Sequence, residues 1–144
     1  MIHNIQQFVK MVKEDKYDKD ELPNFTYKAI PVLLKYANDF SEITNFPTLP
    51  ISSFQSSRLT VGECLLWTIE AIRQFDPTKT DKVYFPSWVA QVWIKGDLNT
   101  PYLNDNQLTE VYNLYKSWWE NNTGKDFEIT KQIDPLKDSV YSWK

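Results

Sequence analysis

Glu63 and Glu70 stand seven residues apart in the stretch VGECLLWTIEAIRQF, with Trp67 between them and Arg73 beyond. On a helix that spacing sets both carboxyls on one polar strip, two turns apart. Two placed acids are the equipment of hydrolysis by general acid and base, on a glycan or a peptide. The rise per residue separates them by roughly 10 Å along the axis. Glycosidase carboxylates lie about 5–5.5 Å or 6.5–9.5 Å apart, so this pair sits at or beyond the upper edge. Structural duties suit the residues better. Glu63 follows Thr60 by three, the capping-box spacing in which the acid reaches back to an orphan N–H. Glu70 meets Arg73 at i, i+3, and the two are expected to form a structural ion pair. No catalytic residue is assigned.

Other chemistry is excluded by residue counts. His3 is the lone histidine and lies beside the chain start, so no packed His base exists for a Ser-His-Asp or Cys-His arrangement. The same count removes a HExxH zinc site. Cys64 is the lone cysteine, which rules out an intramolecular disulfide and a Cys-based zinc centre. It falls on the apolar side of its helix and reads as a small buried hydrophobe. Three glycines, Gly62, Gly96 and Gly124, are scattered, whereas phosphate-cradling loops need them clustered. Asp97, Asn99, Asn104, Asp105 and Asn106 lack the central Gly and terminal Glu of a calcium loop and read as turn and cap residues. No metal and no cofactor is expected.

Aromatic side chains are the remaining candidates. They make up 15% of the chain, with six Trp and eight Tyr, side chains that suit a core or a binding surface equally. Tyr84, Trp88, Trp93 and Trp119 are the candidate binding residues. A glycan or protein partner needs such rings in solvent, and buried rings would be scaffold.

The elements that must position these groups are helical by pattern. Residues 61–75 carry apolar residues at 61, 64, 65, 69, 72 and 75, widened by Leu66, Trp67 and Ala71, a helix mostly surrounded by protein. Asp76-Pro77 ends it. Residues 2–14 show Ile2, Ile5, Phe8, Val9 and Val12 on one face. KEDKYDKDE, from residue 13 to 21, has no apolar period and reads as a solvated loop or a fraying helix end. In 25–38, Pro31 suits a first helical turn, so a short turn at 26–29 should precede a helix starting near Pro31. Residues 40–59 are expected as a long ordered loop anchored by Phe40, Ile43, Phe46, Leu49, Ile51 and Phe54. Val83-Tyr84-Phe85 looks extended, and WVAQVWIK is read as a short helix that stops at Gly96, with a strand as the weaker alternative for Val89, Val92 and Ile94. Residues 108–122 give the cleanest helix, capped by Asp105 or Asn106 and closed at Gly124. The tail from Phe127 is apolar enough to dock. The expectation is therefore an all-α single domain, residues 1–144, of about five helices in antiparallel pairs, with 1–21 peripheral.

A chain of this length buries about 68–70% of its unfolded surface, enough for a core without staples. The net charge of −3 comes with scattered lysines, which argues against nucleic acid. No run of 18 apolar residues offers a transmembrane segment. No apolar signal core follows Met1, and a leader removed ahead of it stays compatible with the sequence.

Several pieces together resemble a known family. They are IPVLLKY at 30–36, Phe46-Pro47, Pro50-Ile51-Ser52-Ser53, LWTIEAIR at 66–73, Phe85-Pro86-Ser87, WWENN at 118–122, and Ile133-Asp134-Pro135-Leu136 with Tyr141 and Trp143. The combination, from about residue 22 onward, resembles an uncharacterised family of small domains from Bacteroides-type bacteria. The resemblance implies an exported protein or lipoprotein, periplasmic, secreted or at the surface, with a cytoplasmic location still open. It implies no activity and no catalytic residues. IPVLLKY is also similar to the second helix of a HEAT-type repeat, an analogy of fold alone. The expected function is a non-catalytic binding or interaction module at the cell envelope, contacting a protein or glycan. The alternatives are a carboxylate-based hydrolase and a toxin-neutralising immunity-type protein. Oligomeric state is left open.

Overall fold

The helix α3 (Val61–Gln74) runs through the middle of the molecule, and each of its residues from Val61 to Ile72 is buried. The structure, a computed structural model, describes residues 4–19, 21–47, 58–97, 99 and 102–144. Around α3 pack α1 (Ile5–Lys13), α2 (Ile30–Tyr36) and α4 (Asp105–Asn121). A 3-10 turn, Tyr27–Ala29, precedes α2, and a short helix α5 (Phe127–Thr130) follows α4. Pro31 sits in the first turn of α2, where its missing N–H has no helical partner to lose.

The all-α expectation is corrected by four short strands among the described residues. Strands β1 (Glu42–Ile43) and β2 (Leu59–Thr60) pair antiparallel, as do β3 (Val92–Ile94) and β4 (Tyr141–Trp143). The fold is mixed, with helices around α3 and two small two-stranded sheets. The helix expected over WVAQVWIK is absent. Its second half forms β3, with Val92 opposite Trp143 and Ile94 opposite Tyr141. Val92 and Ile94 are β-branched and suit a strand, but the deciding partner comes from the far end of the chain. The ladder continues past β4: the Lys144 N–H donates to the Gln91 carbonyl (3.0 Å) and the Trp88 N–H to the Lys144 carbonyl (2.8 Å).

Of the long ordered loop expected at 40–59, positions 48–57 lie outside the described residues, and its two ends are the paired strands β1 and β2. The charged run after α1 is not simply solvated. Tyr17 is buried, its ring edge-on to Phe8 at 5.0 Å, and its hydroxyl donates to the Glu21 carbonyl (2.8 Å). The described part of this end of the chain, residues 4–19, is tied into the core in this way: Phe8, Val9 and Val12 are buried alongside Tyr17. Asp15 turns the chain in the left-handed region, at φ 60°. Its carboxylate accepts from the N–H groups of Thr44 (2.9 Å) and Asn45 (2.7 Å) and from the Thr44 hydroxyl (2.7 Å). The end of α1 is thus clipped to the chain just after β1.

The helix α4 begins a position earlier than expected. Asn104 is the N-cap and forms a reciprocal capping box with Gln107. Gly124, past its other end, adopts φ 87°, a conformation in which a Cβ would be strained. Gly62 answers a different need. A Cβ there would lie 2.4 Å from the Ala37 carbonyl oxygen, so only glycine lets α3 start against the end of α2.

Candidate functional site

The two acids of α3 are both 3% exposed, and every carboxylate oxygen has an internal donor. Glu63 Oε1 accepts from the Thr60 hydroxyl (2.9 Å), and Oε2 accepts from the Val92 N–H (2.9 Å). Thr60 caps the helix, its Oγ accepting from the Glu63 N–H (3.3 Å). The expected reach of Glu63 to the N-cap N–H is therefore corrected: its side chain spans instead to β3. Burial pushes the Glu63 carboxyl up to about 7, against the pull of the Val92 and Thr60 hydrogen bonds and the nearby charges of Arg58 and Lys144.

Glu70 lies in a different setting. Arg73 grips it with Nε to Oε2 (2.9 Å) and Nη2 to Oε1 (2.5 Å). The Tyr115 hydroxyl donates to Oε2 (2.9 Å) and Gln74 Nε2 to Oε1 (3.2 Å). The network runs on: Trp143 Nε1 donates to the Tyr115 oxygen (2.9 Å), and Arg73 Nη1 to the Lys131 carbonyl (2.9 Å). One ion pair therefore binds α3, α4, β4 and the chain after α5. Burial works against the Arg73 charge, but Glu70 more than restores it. Tyr115 is held well above its ordinary value by burial and by the Glu70 charge, so it donates its proton and keeps it.

Neither glutamate offers an open oxygen to a substrate, and their neighbours place them in separate networks. Cys64 is buried, and its thiol is pushed well up by burial and then by the Glu63 charge, so it stays protonated. Among the described residues no cluster of three His, Cys, Asp or Glu is placed to hold a metal ion.

The aromatic candidates divide. Tyr84 is 69% exposed and Trp88 40% exposed, both on the chain leading into β3. Trp93 is half-buried on β3, opposite Ser142. Trp119 is half-buried on α4, with its ring 5.9 Å from Trp118. Three of the four thus lie within residues 84–93, and Trp119 lies on another element.

The chain bearing Tyr84 and Trp88 is held in place from beneath. Trp67, fully buried in α3, donates its Nε1–H to the Ser87 hydroxyl (2.7 Å), which donates to the Val89 carbonyl (3.0 Å). The Phe85 ring lies 5.2 Å from the Trp67 ring. Phe85 and Ser87 thus face the core while Tyr84 and Trp88, the alternate positions, face solvent. Periodicity alone had not separated those roles.

Residues 2–144 match the family described as Domain of unknown function (DUF4943). The chain belongs to that family. The match covers nearly the whole sequence, so the helices, both sheets and the 84–93 surface all fall within the DUF4943 domain. No curated protein and no solved structure matches the chain. Among the described residues no helix is long and apolar enough to cross a membrane.

Proposed function

We propose that the protein is a non-catalytic binding module that engages a protein or glycan partner through the 84–93 surface. The observation that carries this reading is a pair of solvent-facing rings, Tyr84 and Trp88, on a segment anchored to the core by Trp67, Phe85 and Ser87. A loop ordered before binding loses less conformational entropy when the partner arrives. Tyrosine and tryptophan supply large contact area with a polar tip, which suits either a sugar face or a protein surface. Trp93, half-buried on β3, follows on the same stretch of chain. The carboxylate-hydrolase alternative has no such support, since Glu63 and Glu70 are both taken up by internal hydrogen bonds.

The resemblance to exported Bacteroides-type domains favours a place at the cell envelope, as a periplasmic, secreted or lipid-anchored protein. Fractionation of source cells with an antibody to the chain tests that location, and recovery in the cytoplasm alone would reject it. The binding role is tested by screening the chain against oligosaccharides and envelope proteins, then repeating each hit with Tyr84→Ala/Trp88→Ala. Loss of binding with an unchanged thermal midpoint is expected. Full retention of binding by the folded double variant overturns the assignment of this surface.

A further inference from the structure

A groove of about 310 Å³ opens between α1 and α2, lined by Gln6, Val9, Lys10, Lys13, Glu14 and Tyr36. That volume lies at the small end of the roughly 300–1,000 Å³ typical of small-molecule sites. Tyr36 is half-buried and gives the groove an aromatic wall, with the Lys13 ammonium 5.2 Å and the Lys35 ammonium 5.6 Å from its ring centre. Lys13 is also paired with Asp39 (3.6 Å), and Glu14 lies 3.6 Å from Lys16. Among the described residues the Lys10 ammonium is in no ion pair, although it lines the groove. The lining itself carries two positive groups, Lys10 and Lys13, against one negative group, Glu14. The surplus of a single positive charge, on a chain of net charge −3, belongs to this groove.

We infer that the groove binds a hydroxylated monocarboxylate about the size of one sugar ring. Lys10 takes the carboxylate, an interaction that the surrounding surface leaves unsatisfied. Gln6 donates to and accepts from hydroxyls, and the Glu14 carboxylate accepts from a hydroxyl. The exposed part of the half-buried Tyr36 side chain closes the groove on its α2 side. A broad acidic partner is disfavoured, because Glu14 and Asp39 flank the lysines and would repel further negative charges. The site shares no residue with the 84–93 surface, so either assignment stands or falls without the other.

The experiment is an amide NMR titration of the full chain with sodium glucuronate, alongside glucose and a hexaglutamate peptide. Saturable shifts are expected at Gln6, Lys10, Lys13 and Tyr36, with a Kd on the order of 1 mM. Lys10→Gln should weaken glucuronate binding about tenfold, corresponding to about 1.4 kcal/mol, while Lys10→Arg retains it. Lys10 is exposed, so both variants should keep the wild-type spectrum elsewhere. The inference is overturned by non-saturating shifts, by equal binding of glucose, by tighter binding of hexaglutamate, or by Lys10→Gln binding as wild type does.

Discussion

The two ends of α3 bury a glutamate each and treat it in opposite ways. At the C-terminal end Glu70 has a cation, Arg73, held by two hydrogen bonds, and a tyrosine hydroxyl as further donor. At the N-terminal end Glu63 is equally buried but receives hydrogen bonds from neutral donors, the Thr60 hydroxyl and the Val92 N–H. The charges of Arg58 and Lys144 act on it as well, against the larger effect of burial. Burial alone therefore does not set the state of a carboxylate; what matters is whether a charge of opposite sign is buried with it. One end of the helix is a neutralised ion pair that joins four parts of the chain. The other is a joint whose strength follows pH.

Removing the cation should have the largest effect. Arg73→Ala leaves Glu70 buried without its counter-charge and should cost about 3–5 kcal/mol at pH 8 by urea unfolding. A loss of under about 1 kcal/mol would mean that the pair is solvated, as exposed pairs are.

Glu63 should show the contrary behaviour. Its folded-state value is raised to about 7 from the ordinary 4.5, so between those values the folded chain holds a proton that the unfolded chain has released. The associated stability is complete below about pH 4.5 and is lost as pH rises through about 7. The span corresponds to about 3 kcal/mol. Glu63→Gln keeps an oxygen for the Val92 N–H and an amide for Thr60, and should abolish that slope. Stability that still falls equally steeply between pH 4.5 and 7.5 in the variant would remove Glu63 as its source.

Close approach, rather than charge, also distinguishes the N-terminal end. Gly62→Ala forces a Cβ to within 2.4 Å of the Ala37 carbonyl oxygen, and the backbone must shift. A loss of about 1–3 kcal/mol is expected, against the gain that Gly→Ala brings in an open helix. Calorimetry showing a higher midpoint for the variant would deny the contact between α2 and α3.

The smallest effect belongs to Tyr115→Phe. It deletes one donor to Glu70 and the acceptor of Trp143 Nε1 while leaving Arg73 in place. A loss of about 1–2 kcal/mol is expected from chemical denaturation. In combination with Arg73→Ala the two losses should not add, because both act on one carboxylate.

Much of the helical part was legible from local pattern. The apolar spacing in 61–75, the Thr60 cap, the turn before Pro31 and the positive φ of Gly124 all depend on residues within a few positions of each other. What pattern misjudged depended on distant partners. WVAQVWIK carries apolar residues compatible with a helix, and it became β3 because residues 141–143 lie alongside it. Tyr17 hides in a run of charges, and its burial required Phe8 and Phe46 to close over it. Glu63 has capping-box spacing, but the Val92 N–H, 29 residues away, redirected its carboxylate. The candidate site was legible as aromatic residues but not as a surface. Tyr84 and Phe85 are adjacent rings in the sequence, and the Trp67 side chain beneath them decides which one faces inward.

The sequence by itself determined the course of the central helix and the turn before Pro31, that an intramolecular disulfide and a Cys-based zinc centre have no residues to build them, and which aromatic rings were available for contact. Those properties rest on residue counts, on backbone propensity and on hydrogen bonds closed within a turn. Tertiary structure alone decided that the fold is mixed, that one buried glutamate is neutralised and the other titrates near neutrality, and that Tyr84 and Trp88 face solvent. Each of these depends on which groups from remote parts of the chain share a small volume. There charge, burial and strand pairing are set by neighbours that no local window contains.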